Sequence, residues 1–596
     1  MNYTYQYINN YWELSNLIEQ HNTNSDYCVV DIETTGLDRF KDSIVEVALC
    51  FSSRKDTAVI VPADLKHCLI LINIPLVLHN SKFDLAFLHA KGIDLTGRVV
   101  HDTMLLHHLV DENEEHGLDA IITKAFNDTY KADFWSLFPV YSEAPFSRRL
   151  EYAGKDVIYT AKLYESLLDT LEMGGVPEAL IQHVHSLSAA LLDTEIRGLK
   201  LDMDYLMEVG GKLRDLIEVQ GRQIVDLVKD DIKYIELDLW LKEMDKRKTA
   251  KGRASIVKPE FNLDSTKQLG VLLYERLGLP VQKNRRTKKP TVDDAALENI
   301  KHRHAVIPVL QEYRGNRKVY GSFIEGSLER GVEGRVYPSF NVNGTVTGRI
   351  SSSNPNMQQL PREGGVRGIY IPDDGYRIIT ADYGSLEVVI AAHFSHDKNL
   401  LKIVFDGASK HDITAESLGI PRQAAKTLNF AMQYQCSPRK VAELLKCSRA
   451  DSELIWGKYW KTYEGEKRVI DDCKRLVDKG EPITTPFGRR RHFPRKFDHL
   501  WEKEAAYRQA YSALIQGTGA DLTSRAYYLT HDALVAKQIG LAMFPVHDEI
   551  VIQAKEKDCK EASELLSSIM VGVGEYINLS VPLTVDCSEP KIRWEK

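Results

Sequence analysis

Three apolar runs in this chain end in acids that an ordinary core would reject. Residues 543–553 read MFPVHDEIVIQ, with His547, Asp548 and Glu549 between flanks that look like the walls of a buried strand pair. VVDIETTGLD sets Asp31 and Glu33 at the end of a second run, and YRIITADYG sets Asp382 at the end of a third. An unpartnered buried carboxylate costs an appreciable part of a small domain's net stability, so a fold that keeps these acids needs compensating cations at its strand ends.

At 596 residues the chain is too long for one core, and several domains are expected. A net charge of −7 does not advertise a nucleic-acid partner, yet carboxylates gathered at metal sites mask basic surface elsewhere. Basic clusters stand at 246–253 (KRKTAKGR), 285–289 (RRTKK) and 488–495 (GRRRHFPR); each by itself reads as a solvated loop. The eight cysteines form no C-x-x-C pair, which argues against a zinc module or a disulfide framework and for a reducing compartment. The N-terminal residues show no signal-peptide pattern, and no apolar run approaches the ~20 residues of a membrane span, so a cytoplasmic setting without membrane contact is expected.

Strand patterns at 27–33, 45–51 and 57–62, followed by helical patterns from about 83, predict an α/β domain ending near 185. Helical periodicity dominates 186–335, interrupted by the basic, turn-rich stretch 246–260. From 336 strands return around a helical block at about 405–480, which predicts a second α/β module with a helical insertion.

Asp31 and Glu33 lie two apart on a strand, so both leave one face, as a hard cation's oxygen ligands must. HNSKFDLAFL adds Asp84 at the start of an amphipathic helix, and YAGKDVIYTAKLY puts Tyr152 and Asp156 one helical turn apart. Each acid alone reads as a solvated or first-turn residue. The conjunction, in this order and spacing, resembles the proofreading 3′→5′ exonucleases of the DEDD class with a tyrosine in the third motif. That resemblance implies that Asp31, Glu33, Asp84 and Asp156 hold two metal ions while Tyr152 orients the attacking water.

In RQAAKTLNFAMQYQ, residues Arg422, Lys426, Phe430 and Tyr434 recur every four positions and form one helical stripe. Cations followed by rings suit a triphosphate at one end and a sugar and base at the other. With YRIITADYGSLEVVIAAHFS, VHDE, TVTGRISSSNPNMQQLP and RQAYSALIQGTGADL, this stretch resembles the signature segments of the family A DNA polymerases, in family order and over essentially the whole chain.

The resemblance implies an α/β and α+β multidomain protein: an RNase H-like exonuclease domain (1–185), then a right-hand polymerase with thumb (186–335), palm (336–404 and 501–596) and fingers (405–500). It assigns Asp382 and Asp548 to two catalytic Mg²⁺ ions, with Mn²⁺ as an alternative, and two further ions to the exonuclease centre. Glu549 becomes an accessory acid, sent by strand alternation to the side opposite Asp548. Arg422, Lys426 and His411 would grip the triphosphate, Phe430 would pack on the deoxyribose, Glu387 would crowd the 2′ position and Tyr434 would lie near the templating base. Arg349, Arg508, Gln516 and His547 would touch the primer–template. The expected partners are primer–template DNA and dNTPs, with a processivity factor or helicase left open and the chain a monomer. The resemblance further implies a stand-alone, phage-like form of exonuclease–polymerase.

Four positions depart from the family pattern: Val389 for an arginine, Ala431 and Gln435 for glycines, and Ser512 for an asparagine. Two other readings stay open on the residues: an exonuclease whose polymerase half only binds DNA, and a nonenzymatic DNA-binding replication factor.

Overall fold

The computed structural model describes residues 3–246, 259–284, 287–433 and 435–595. They divide into two compact units: Met1–Leu199 with Tyr337–Ser353 and Pro372–Ile592, and Lys200–Val336 with Asn354–Ile371 and Arg593–Lys596.

The first unit begins with β1 (Thr4–Tyr7), α1 (Tyr11–Asn24), β2 (Cys28–Thr34), β3 (Ile44–Phe51), β4 (Thr57–Pro62) and β5 (Leu76–Leu78). There follow α2 (Ser81–Ala90), β6 (Val99–Asp102), α3 (Thr103–Val110), α4 (Leu118–Phe126), α5 (Tyr130–Leu137), α6 (Phe146–Met173) and α7 (Glu178–Arg197). The sheet order is β1-β4-β3-β2-β5-β6, with β3 antiparallel to both of its neighbours and the other pairings parallel, the arrangement expected of an RNase H-like sheet.

Interior position explains the near-continuous apolar run of β2, because both of its faces are covered. Cys28, Val30 and Ile32 enter the core that holds Leu14 and Ile18 of α1 and Leu85 and Leu88 of α2. The strand period then puts Val29, Asp31 and Glu33 on the other face, where α6 packs. α7 runs through the boundary expected near 185.

Further along this unit come β7 (Tyr376–Tyr383), α11 (Leu386–Ser395), α12 (Lys410–Leu418), α13 (Arg422–Gln433) and α14 (Leu500–Lys537). After α14 the hairpin β8 (Gly540–Val546) and β9 (Glu549–Lys555) precedes β10 (Val585–Cys587). These strands form an antiparallel sheet in the order β8-β9-β7-β10. The helical block expected at 405–480 lies between β7 and α14.

The basic run 488–495 is not a solvated loop. Arg489 pairs with Asp521 of α14, Arg490 donates to the carbonyl of Gly174, and Arg491 pairs with Glu112 at 2.7 Å. His492 adds a contact to Glu112 at 2.9 Å. The run is a clamp that ties the segment after α3 and the end of α6 to the polymerase-like half. Its partners are too distant in sequence for a charge count to reveal them.

The second unit is helical. α8 (Met203–Leu227) starts at Asp202, whose carboxylate accepts the Tyr205 N–H at 3.0 Å and so caps the helix. α8, α9 (Lys229–Lys246) and α10 (Val306–Val319) close around Ile224, Ile232, Leu272, Ile307 and Leu310. The basic cluster at 246–253 lies outside the described residues except Lys246, as do Arg285 and Arg286 of the second cluster.

Candidate active sites

In the first centre, one carboxylate oxygen each from Asp31, Glu33 and Asp156 converge within 4.8 Å of one another. Asp84 lies in the first turn of α2, 3% exposed, and its Oδ1 accepts the Ile32 N–H at 3.1 Å. That bond ties α2 to β2. Asp102 holds the start of α2, accepting the N–H groups of Asn80 at 3.0 Å and Ser81 at 2.7 Å while capping α3 through Met104 at 2.9 Å. An acid just before a helix signals the α3 cap in the sequence. Its second task, 21 residues back, leaves no local signal.

Tyr152 and Asp156 face β2 from α6. Both oxygens of Asp156 are engaged from α5: Oδ1 accepts the Tyr130 hydroxyl and Oδ2 pairs with Lys131 Nζ. Trp135 Nε1 donates to the Tyr152 hydroxyl at 3.1 Å, and the Lys131 ammonium lies 4.7 Å from the Tyr152 ring centroid. Sequence reasoning missed Tyr130, Lys131 and Trp135, because α5 reaches the site through tertiary packing.

Burial, reinforced by Asp156 and opposed by Lys131, raises the Asp31 pKa to about 7. Burial and the Asp31 charge also raise Glu33 and Asp84. Burial and Asp156 raise Tyr152, which keeps the phenol protonated as a donor. Glu33 Oε1 is buried without a hydrogen-bond partner among the described residues. Glu46, opposite Glu33 in the β2–β3 register, is already satisfied by Arg149 at 3.1 Å and the Tyr141 hydroxyl at 2.6 Å. The remaining hard oxygens, one of them an orphan, fit a divalent cation of the Mg²⁺ or Mn²⁺ kind.

In the second centre, Asp382 is the penultimate residue of β7, and Asp548 occupies the β8–β9 turn beside it. The Tyr383 N–H donates to the Asp548 carbonyl at 3.2 Å, and His547 takes a left-handed φ of 57° to make the turn. Burial first, then the Asp382 charge, raises the Asp548 pKa, with Glu387 adding to it. Two carboxylates so placed also call for a cation. Glu549 is the first residue of β9 and sits in register opposite Asp382, 1% exposed. Strand alternation therefore does not divide Asp548 from Glu549: Asp548 belongs to the turn, and Glu549 shares a sheet face with Asp382.

On α13, Arg422 and Lys426 are exposed and Phe430 is 68% exposed, while Ala425, Leu428 and Met432 are buried. Phe430 thus presents most of its ring at the surface. The helix is fixed from behind, where Asn429 Nδ2 meets His411 Nδ1 of α12 at 3.0 Å and Thr414 bonds Asn429 at 2.9 Å. Arg422 pairs with Asp412 at 2.6 Å. At the other end of α13, Gln433 Nε2 donates to Glu387 at 2.5 Å, and Arg349 pairs with the same carboxylate at 2.9 Å. Tyr434 lies outside the described residues. Arg508, Ser512 and Gln516 recur every four residues along one face of α14, with Arg508 exposed. Val389 is buried, so no charge is called for at that position. Gln435 adopts φ 51°, the left-handed conformation for which glycine is favoured.

The family model for DNA polymerase family A matches residues 239–595, and that for a 3′-5′ exonuclease matches residues 5–172. DNA polymerase I of Chloroflexus aurantiacus is 29% identical over 545 residues, covering 86% of this chain and 54% of the relative. DNA polymerase I of Synechocystis is 27% identical over 648 residues, covering 98% and 61%. This chain therefore spans between half and two thirds of the length of these relatives. Among solved structures, the POL domain of Pol1 from M. smegmatis, in complex with DNA primer-template and dNTP, superposes with a TM-score of 0.80 at 21% identity over 99% of each chain, which is a likeness of fold. The chain belongs to DNA polymerase family A.

Proposed function

We propose that this family A member extends a primer 3′ end with deoxynucleotides on a DNA template and removes terminal nucleotides at its second centre, 3′→5′, as a proofreading polymerase in DNA replication. The observation that carries this reading is the pairing, in one compact unit, of two separate carboxylate centres with the exposed Arg422–Lys426–Phe430 stripe beside one of them.

Divalent ions, Mg²⁺ by preference with Mn²⁺ as an alternative, two at each centre, would lower the pKa of the attacking hydroxyl or water and neutralise charge developing on the phosphate. Asp382 and Asp548 would hold them at the polymerase centre, with Glu549 as accessory. Asp31, Glu33, Asp84 and Asp156 would hold them at the exonuclease centre. Arg422, Lys426 and His411 bind the triphosphate, and Phe430 packs on the sugar. Glu387, fixed by Arg349 and Gln433, closes the space a 2′-hydroxyl would need. Arg349, Arg508, Gln516 and His547 lie along the primer–template, where minor-groove acceptors common to all base pairs report geometry without sequence. At the exonuclease centre the protonated Tyr152, braced by Trp135, orients the attacking water. Action as a monomer belongs to this proposal. The eight free thiols support a reducing cytoplasmic setting.

Primer extension with Mg²⁺, with and without nucleotides, tests the assignment. Asp382→Ala is expected to lose extension and keep nucleotide-free primer shortening, and Asp31→Ala the reverse. Extension surviving Asp382→Ala would overturn the polymerase assignment; shortening lost in both variants would overturn the separation of the two centres.

A further inference from the structure

Among the described residues, Lys131 is the positively charged group that pairs with one of the acids clustered at the exonuclease centre. Its side chain is only 17% exposed and pairs with Asp156, itself 5% exposed. The groups acting on its ammonium are Asp156, Tyr152, Asp31 and Glu33, in that order. The three acids among them are those whose oxygens converge within 4.8 Å, while Asp84 answers to Asp31. Through Asp156, Lys131 stands at the three-carboxylate end of the centre.

We infer that Lys131 is the built-in counter-ion of this centre, and that a divalent cation enters the three-carboxylate end only against its ammonium. The inference rests on reading these acids as a metal centre. A lone ammonium cannot offset three clustered carboxylates, so the site still attracts metal. A positive charge already in place weakens that attraction, however, and Tyr130 and Lys131 between them occupy both oxygens of Asp156. Lysine suits this role because its flexible four-carbon stem can withdraw the charge as a metal ion arrives. In the metal-free protein it supplies part of the compensation that the clustered acids require. Metal binding at the three-carboxylate end is therefore weaker than the same acids would give without Lys131.

The test uses the full chain with Asp382→Ala and Asp548→Ala, so that Mn²⁺ binding reports the exonuclease centre, followed by titration calorimetry and electron paramagnetic resonance. Adding Lys131→Gln is expected to tighten Mn²⁺ binding at least about tenfold, which is about 1.4 kcal/mol. It should also lower the metal-free unfolding temperature by an amount that Mn²⁺ restores. Lys131→Arg, which keeps the charge, should bind Mn²⁺ as weakly as the parent. Equal or weaker Mn²⁺ binding by Lys131→Gln overturns the inference. If that variant folds only with Mn²⁺ present, the counter-ion role stands; if Mn²⁺ does not rescue its folding, the role falls. Failure of the underlying reading is distinct: Mn²⁺ binding would then be unaffected by Asp31→Ala or Glu33→Ala in the parent.

Discussion

Replacing Asp521 by alanine tests whether the clamp between the two halves of the first unit holds the segment of Gly348 and Arg349 in place. Arg489 reaches Asp521 through Nη2 at 2.7 Å and Nε at 3.0 Å, and the two side chains are 7% and 1% exposed. His183 of α7 lies 3.4 Å from the same carboxylate. Burial alone would raise the Asp521 pKa, but Arg489 and His183 outweigh it and hold it below the usual range. Removing the acid leaves a guanidinium buried and unpaired, a loss of about 3–5 kcal/mol. The damage reaches the active site, because Arg489 lies against Gly348. A Cβ there would come within 2.5 Å of Arg489 Nε, and the φ of 77° already demands glycine. The next residue, Arg349, holds Glu387. Urea unfolding followed by tryptophan fluorescence should show the early transition move by that free energy, and primer extension should fall with it. Arg489→Met combined with Asp521→Leu removes both charges and should recover most of the stability. A loss below about 1 kcal/mol for Asp521→Ala, or a double variant no more stable than the single, would refute the reasoning.

Gln435→Gly should raise stability by about 1 kcal/mol, since the left-handed backbone at that position strains any residue with a Cβ; thermal unfolding of the variant checks it. Glu387→Ala should admit ribonucleotides and raise their incorporation relative to deoxynucleotides in primer extension, because the carboxylate fixed by Arg349 and Gln433 is then gone. The Glu112 clamp should be pH-dependent on both sides. Burial raises the Glu112 carboxyl, but His492 and Arg491 outweigh this and bring it from 4.5 to about 2, so its contribution is complete above 4.5 and disappears as the pH falls towards 2. The Glu112 hydrogen bond raises His492 above 6.5, so its share is complete below 6.5 and is lost as the pH rises through the raised value. Stability differences between wild type and Glu112→Gln, measured from pH 2 to 9, should therefore peak between about 4.5 and 6.5.

The parts of the two centres legible in the sequence are those placed by short-range geometry. Asp31 and Glu33 share a strand face, Tyr152 and Asp156 share a helix face, and the α13 stripe follows from spacing alone. Where a strand gives way to a turn, the same logic fails: alternation applied across 548 and 549 assumed a strand at both positions, and only the second has one. Strands of three or four residues, such as β5 and β6, carry too little pattern to be read. Asp102, Glu46 and Lys131 reach the exonuclease centre through pairings set by the sheet and by helix packing. Their types are those of any surface residue until those partners are known.

The basic run at 488–495 shows why an acid within an apolar strand points to a site while a loop of bases does not. An acid inside an apolar strand is costly unless it is partnered, so several of them in family order point to a compensating cation. A run of arginines in a Gly- and Pro-containing stretch costs nothing in solvent, and its composition is the same whether it faces water, a phosphate backbone or a buried carboxylate. Only the position of its partners decides, and Arg489 and Arg491 find theirs 32 and 379 residues away. The three arginines thus serve the fold from inside: they tie the segment after α3 and the end of α6 to α14 and Gly348, and Arg349 meets Glu387 beside them.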